Sequence, residues 1–339
     1  MPMINVSVPI DRLAPYRDKI ESSLASALAE FSEPNCLYEP VHYLFEAGGK
    51  RVRPVLTMLA CEAVGGNPDH AVHAAIAVEL LHNFTLVHDD IMDSSAKRRG
   101  RDTVHVKWNT STAILAGDVM MGMAMRLLLR SAAHAERPLD VVDAFSTGLI
   151  DVCDGQALDM EFMLRNDVLP EEYFMMIERK TARLLEMSVA IGASIGNATR
   201  EQRSALQTFA REIGIAFQMQ DDYLDAFGSE TFGKVRGGDI MEGKRTWLMI
   251  ETCARVESDI NALDEHRRIV ETFRSGEPLS ADNVNTVISM MKQYGVDTDA
   301  TTVVEQRTMI AFSQLHTLAP SDARDGLETL ARSLMGRTH

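Results

Sequence analysis

One aspartate spacing occurs twice in this chain, and each time it sits near the end of a helical stretch that is largely apolar elsewhere. The copies read Asp89-Asp90-Ile91-Met92-Asp93 and Asp221-Asp222-Tyr223-Leu224-Asp225. Each sets carboxylates at i, i+1 and i+4, and on a helix i and i+4 share a face one turn apart. Like charges at that spacing repel, so each copy calls for a cation. Carboxylate oxygens suit hard ions such as Mg²⁺, which is commonly held by one or two carboxylates with substrate phosphates completing the shell. Two facing claws of this kind would bridge a phosphorylated ligand through several metal ions.

The remainder of the chain supplies helices to carry them. Apolar residues recur at helical spacing over 18–32, 69–92, 111–135, 139–165, 171–196, 200–226, 245–264 and 281–294, and runs of alternating β-branched residues are scarce. Breakers fall between these segments, at Gly48-Gly49, Gly65-Gly66-Asn67-Pro68, Arg137-Pro138, Gly196-Asn197, Gly237-Gly238 and Gly276-Glu277-Pro278. Pro170 with Glu171 and Glu172 reads as a helix start, acids lying near the positive end of the dipole. The chain has 339 residues, 45% of them hydrophobic, which is enough for a sizeable core, and no low-complexity stretch divides it. The pattern predicts a single all-α domain over residues 1–339, with roughly ten or more helices.

Composition removes several function classes. The formal net charge of -15 argues against general nucleic-acid binding, which needs a basic stripe. Cys36, Cys61, Cys153 and Cys253 are widely separated and form no CxxC pair, so neither a zinc site nor a disulfide framework is expected, in keeping with a reducing cytoplasm. The first residues lack a basic segment followed by an apolar run, and no apolar stretch reaches about 18 residues. No signal peptide and no membrane span are expected.

In the first claw, Leu81, Thr85, Asp89 and Asp93 follow i, i+4 steps, and His82 lies seven residues before Asp89 on nearly the same face. Negative charge at a helix C-terminus opposes the macrodipole, a cost that bound cations would offset. In the second, Gln218, Asp221, Asp222 and Asp225 form a polar stripe among Ile213, Phe217, Met219 and Leu224. A single aspartate motif of this kind is most simply a solvated helix end, although a polar stripe embedded in a largely apolar helix should face a water-filled cavity. Two of them on otherwise apolar helices are harder to explain that way. Clustered cations also stand out in so acidic a chain. Gly48-Gly49-Lys50-Arg51-Val52-Arg53 sets three cations beside a glycine turn, a combination suited to a diphosphate. Lys97-Arg98-Arg99-Gly100-Arg101 trails the first claw, and Lys234-Val235-Arg236-Gly237-Gly238-Asp239 with Gly243-Lys244-Arg245 trails the second.

The segments GGKRVRP, ELLHNFTLVHDDIMD, RRGRDTVH, GQALD, ERKTA, FQMQDDYLD and GKVRGGDIMEGKRT resemble, in order, the motifs of the trans-isoprenyl diphosphate synthases, the polyprenyl synthetase family. The match runs from about residue 44 to 247, and seven ordered motifs make it specific. The resemblance implies a bundle of antiparallel helices around a central cavity, usually a homodimer. It implies head-to-tail condensation of isopentenyl diphosphate with an allylic diphosphate. By motif position, Asp89, Asp90, Asp93, Asp221 and Asp225 would hold Mg²⁺, with Asp222 acting through water or from behind. Arg98, Lys180, Lys234 and Lys244 would contact the allylic diphosphate, and Lys50, Arg53, His82 and Arg99 would hold isopentenyl diphosphate. Thr181 and Gln218 would sit near the reacting carbons, with Gln156 and Asp159 facing the cavity. Phe84 and Thr85 fall where the family sets the floor for the growing chain. A phenylalanine there, with no insertion in the claw, resembles short-chain synthases making C15–C20 products, with C20 favoured. Asp102 and Trp247 depart from the commonest pattern, in positions that touch none of these groups.

Two other readings compete. A class I terpene cyclase also carries an aspartate-rich first motif, but its second metal motif is of Asn/Ser/Glu type, unlike Asp221 to Asp225, and it has no use for Lys50, Arg53 and His82. A non-catalytic partner subunit that binds prenyl diphosphates would typically have lost claw residues, and both claws here are complete.

Overall fold

The computed structural model describes residues 10–228, 236–277 and 279–336. Its helices are α1 (Ala14–Ala29), α2 (Asn35–Glu46), α3 (Val52–Ala63), α4 (Val72–Met92), α5 (Val104–Lys107), α6 (Thr110–Ala132), α7 (Pro138–Phe162), α8 (Pro170–Ile177) and α9 (Arg183–Ile195). They continue with α10 (Arg200–Phe227), α11 (Gly238–Met241), α12 (Trp247–Ser258), α13 (Asp264–Ser275), α14 (Ala281–Gln293), α15 (Val296–Leu315) and α16 (Asp322–Met335). A π-helical turn, Glu178–Ala182, joins α8 to α9. Among the described residues the only strands are β1 (Lys97–Arg98) and β2 (Arg101–Asp102), so the all-α expectation holds.

The chain separates into two compact units, each drawn from three stretches of sequence. The first takes the N-terminal part up to Leu149, Met187–Gln207 and Leu315–Leu330; the second takes Ile150–Glu186, Thr208–Gln314 and the chain from Ala331 onward.

In the first unit α4 packs along α6. Ala74, Ala75 and Ala77 on α4 are fully buried, and Ala113, Ala116 and Gly117 on α6 are buried as well, so the two backbones approach closely. The direction is antiparallel. Near the start of α4 the Ala74 N–H donates to Ser131 Oγ at 2.9 Å, satisfying one of the donors that a helix N-terminus leaves open. Near its end, His88 Nε2 lies 3.4 Å from the Ile114 carbonyl. Leu80 and Leu81 are also fully buried, each contributing roughly 1.5–3 kcal/mol. By length and composition α6 could cross a membrane. Here its apolar face, Met120, Met123, Ala124, Leu127 and Leu128, belongs to the buried core, and Asp118, Arg126 and Arg130 interrupt the helix.

The second unit is built on α12. The Thr246 hydroxyl accepts the Met249 N–H, capping the helix, and Trp247, Leu248, Met249 and Ile250 are all buried. They share one apolar cluster with Val270 and Phe273 of α13 and Val284, Val287 and Ile288 of α14. Trp247 therefore departs from the family pattern as a core residue. Arg245 is buried beside it and donates to the carbonyls of Arg165 and Phe273 at 2.8 and 3.0 Å, which gives that cation a structural role.

Several helices lie outside the segments that spacing predicts: α2, α3, α13, α15 and α16, with the one-turn α5 and α11. Most of α3 is buried, so no polar face marks its period. Pro40 sits inside α2, where proline normally argues against a helix. Two predicted segments are also corrected. The segment 171–196 is interrupted by the π turn, and 245–264 stops at Ser258.

Candidate active site

The first claw lies at the C-terminal end of α4, in the first unit. Asp93 caps that helix, its N–H donating to the Asp89 carbonyl at 2.8 Å. Its side chain is exposed and that of Asp89 partly so, whereas Asp90 is only 3% exposed. Arg98 Nε donates to Asp90 Oδ1 at 2.8 Å. Burial pushes the Asp90 carboxyl up, and Arg98 pulls it back down. Arg98 is thus anchored to the claw itself.

Arg98 belongs to β1, which pairs with β2 in a two-residue hairpin, Arg98 opposite Arg101. Both turn residues, Arg99 (φ 52°) and Gly100 (φ 77°), have positive φ, as a type I′ hairpin requires. Glycine adopts this freely. Arg99 does not, and its guanidinium donates to the Gly48 carbonyl. That bond ties the basic hairpin to the Gly48-Gly49 turn. Arg101 pairs with Glu46 and lies over the Tyr43 ring at 3.9 Å, as part of the scaffold.

The three cations at 50–53 separate. Lys50 is exposed at the turn. Arg51, in the left-handed region at φ 48°, turns inward and pairs with Glu21 at 2.7 Å and buried Glu79 at 2.8 Å. Arg53 Nη1 meets His82 Nε2 at 3.2 Å, and both Arg53 Nε and His82 Nδ1 are buried without a partner. Burial lowers the Arg53 guanidinium to about 10, with Arg99 adding to the effect and Glu79 opposing it. His82 is held well below its ordinary range, first by burial and then by Arg53, Arg99, Arg98 and Arg51. In an acidic protein this is a concentrated positive field with unused donors, which a multiply charged anion would satisfy.

Phe84 and Thr85 are both half-buried, but on different faces of α4. Thr85 precedes Asp89 by one turn and donates its hydroxyl to the His82 carbonyl at 2.8 Å. Phe84 meets the His88 ring edge-on at 4.6 Å. That imidazole rests on Gly117 of α6, where an added Cβ would stand 2.3 Å from Nε2.

The second claw lies on α10, in the second unit. Asp222 is buried, with Oδ2 accepting from the Tyr173 hydroxyl at 2.6 Å and Oδ1 from Gln218 Nε2 at 2.8 Å. Burial, reinforced by Asp239, raises its carboxyl to about 7. The Gln218 carbonyl oxygen in turn accepts from Thr181 Oγ1 at 2.9 Å. Asp221 stays partly exposed. The Asp225 carboxylate accepts the Asp239 N–H at 3.0 Å and so helps hold the Gly237-Gly238 turn. Lys244 Nζ pairs with Asp239 at 2.7 Å. Lys234 lies outside the described residues.

Lys180 and Thr181 both belong to the π turn, a rare geometry that recurs at functional sites. Lys180 pairs with Asp159 of α7. The turn is seated between two glycines: a Cβ on Gly155 would stand 2.2 Å from the Lys180 nitrogen, and one on Gly214 would stand 2.5 Å from the Ala182 Cα. Gln156, next to Gly155, is buried with its carbonyl oxygen unpartnered. Spacing alone misses Tyr173, Asp239 and the two glycines. Asp239 had a signal in the Gly-Gly-Asp that ends a basic loop, and Gly155 in the GQALD segment; Tyr173 and Gly214 had none.

Among the described residues no three His, Cys, Asp or Glu side chains converge as a ready metal cage. That suits Mg²⁺, which needs only one or two protein carboxylates when phosphates supply the other ligands. Asp93 is exposed and Asp89 and Asp221 are partly so, whereas Asp90 and Asp222 are buried and accept from Arg98 and from Tyr173 and Gln218.

The polyprenyl synthetase family model matches residues 34–290. A short chain isoprenyl diphosphate synthase from Methanothermobacter thermautotrophicus is 36% identical over 332 residues, covering 97% of this chain and 99% of the relative. Among solved structures, geranylgeranyl pyrophosphate synthetase from Pyrococcus horikoshii superposes with a TM-score of 0.85 at 35% identity, over 96% of this chain and 98% of that one. A decaprenyl diphosphate synthase from Rhodobacter capsulatus gives a TM-score of 0.87 at 28% identity, over 98% of this chain and the whole of the other. Motifs, helical architecture and matches over nearly the full length agree, and the chain belongs to the polyprenyl synthetase family.

Proposed function

We propose that the protein is a short-chain trans-prenyltransferase that condenses isopentenyl diphosphate head-to-tail with an allylic diphosphate, releasing diphosphate and a C15–C20 product. The observation that carries this reading is the Arg53–His82 pair, 3.2 Å apart, with Arg53 Nε and His82 Nδ1 buried without a partner and Arg99 of the basic hairpin tied to the Gly48 carbonyl. A second diphosphate accounts for it, and a terpene cyclase would have no use for it. Asp89, Asp93 and Asp221, with Asp90 and Asp225, are the residues that would hold Mg²⁺. When bound, Mg²⁺ would neutralise charge on the departing diphosphate.

Lys50, Arg53, His82 and Arg99 hold isopentenyl diphosphate, and Arg98, Lys180, Lys234 and Lys244 bind the allylic diphosphate. The allylic C–O bond breaks with its electron pair leaving on diphosphate. The alkene of isopentenyl diphosphate attacks the allylic cation, and a proton is lost to restore a double bond. The proton passes to the departing diphosphate, which acts as the base. The Thr181 hydroxyl and the Gln218 carbonyl are oxygen dipoles that stabilise developing positive charge.

The relative named as a short-chain synthase supports the short product, as does Phe84. The fold itself does not decide length, because neighbours named for C20 and decaprenyl products superpose equally well. We also place the enzyme in the cytoplasm as a homodimer; Ile114, Leu115, Leu129 and Leu139 are exposed apolar residues on α6 and α7 that a second copy would cover. The test is incubation with labelled isopentenyl diphosphate, Mg²⁺ and dimethylallyl, geranyl or farnesyl diphosphate, reading product length by chromatography. A C15–C20 product is expected, and no product with any primer would favour a non-catalytic partner subunit.

A further inference from the structure

Tyr173 is 1% exposed and packs in the apolar cluster of the second unit, yet its hydroxyl makes a 2.6 Å bond to Asp222. From there a hydrogen-bonded chain runs outward, from Asp222 to Gln218 at 2.8 Å and from Gln218 to Thr181 at 2.9 Å. Its direction is fixed at the buried end. Asp222 accepts the Tyr173 hydroxyl on Oδ2 and the Gln218 amide nitrogen on Oδ1, so Gln218 turns its nitrogen towards Asp222. The Gln218 carbonyl oxygen then faces Thr181, whose hydroxyl proton is committed to it. Both Thr181 and Gln218 are partly exposed, so the chain starts in the core and ends where a ligand can reach. Without the anchor, Gln218 could flip and present N–H donors, of the wrong polarity for an allylic cation.

We propose that Tyr173 is a positioning residue for prenyl transfer, acting through Asp222 to fix the amide orientation of Gln218 and the direction of the Thr181 hydroxyl. This rests on the assignment of Thr181 and Gln218 to the reacting carbons made above. Nothing in the family motifs singles out Tyr173, which precedes the ERKTA segment by five residues.

The test is steady-state kinetics of the full-length Tyr173→Phe variant with Mg²⁺ and both diphosphates. Phenylalanine keeps the ring and its packing and removes only the donor. We expect kcat to fall about 10- to 100-fold, the scale of misplacing a catalytic group, with both KM values within about twofold of wild type. The Tyr173→Phe/Gln218→Ala double variant should lose no more than Gln218→Ala alone, since the two act as one unit. A folded Tyr173→Phe protein with wild-type kcat overturns the proposal, as do losses that simply add in the double variant. Should Tyr173→Phe not unfold cooperatively, Asp222→Asn serves instead. It frees the Gln218 amide to flip and should lower kcat at unchanged KM, and wild-type kcat in that variant would equally overturn the proposal. Wild-type protein inactive with every primer would instead sink the prenyltransferase reading itself, so the two failures are distinguishable.

Discussion

Gly155 of α7 lies directly against the backbone of Lys180, so close that a Cβ at 155 would stand 2.2 Å from the Lys180 nitrogen and 2.7 Å from its Cα. On the other side of the π turn, Gly214 gives Ala182 the same room. The glycines allow a helix irregularity that an ordinary side chain would push out. Gly155→Ala should therefore shift Lys180 away from Asp159 and reduce kcat by about 100-fold, as a displacement on the order of 1 Å can. Steady-state kinetics, with circular dichroism to confirm the helical content, would check this. Unaltered turnover would mean that the π turn adapts.

Asp89 is the part-exposed carboxylate of the first claw, while Asp90 is tied to Arg98. Asp89→Asn keeps the shape and removes the charge. Turnover should fall by at least ~100-fold, the scale of losing one electrostatic stabiliser. Near-wild-type kcat would remove Asp89 from the reaction.

These two residues differ in how visible they are beforehand. Asp89 announces itself by repetition and spacing, as do Lys50, Arg53 and the hairpin cations. The helices that carry the two claws show their period because one face is apolar and the other polar. α3 has no such contrast, being buried on most sides, and Pro40 disguises α2. Gly155 and Gly214 act by what they lack, and only neighbours brought in from other helices show that. The division of the 50–53 cluster is hidden for the same reason. Nothing in Lys50-Arg51-Val52-Arg53 says which cation turns inward until Glu79 is seen packed beneath Arg51.

That division is testable by stability. Arg51→Met leaves Glu79, itself 4% exposed, without its buried partner. Breaking such a pair costs about 3–5 kcal/mol, so thermal unfolding should move to clearly lower temperature. Lys50→Ala, at the neighbouring but exposed position, should leave the unfolding temperature in place and raise KM for isopentenyl diphosphate. Equal thermal effects would contradict the separation of roles.

The environment of His82 has a pH signature. Burial and four nearby arginines hold its pKa well below the ordinary histidine value. The folded protein keeps His82 neutral while the unfolded chain protonates near pH 6.5, so the unfolded state binds the extra proton first. This group's contribution to stability is full above about pH 6.5 and is lost as pH falls below it towards the folded pKa. In NMR of histidine-labelled protein, the His82 ring resonance should stay at its neutral position from pH 8 down to about pH 5.5, a range in which an ordinary histidine titrates. A midpoint near 6.5 would show that the arginine field does not reach it.

The proposed floor for product length is Phe84. Its ring is half-buried and braced edge-on by His88, which is itself backed by Gly117 of α6. The brace leaves Phe84 little freedom to swing aside, so as the proposed floor it would stop a growing chain that reaches it. Thr85, one turn before Asp89, stands on the claw's own face and is too small to block alone. Phe84→Ala removes the ring and leaves a space that the His88 side chain, held against α6, does not fill. The product should lengthen by at least one C5 unit, with kcat for the first condensation little changed because the claw is untouched. Chromatography of products made from farnesyl diphosphate would read this directly. A product distribution identical to wild type would place the floor among other residues of α4 or α6.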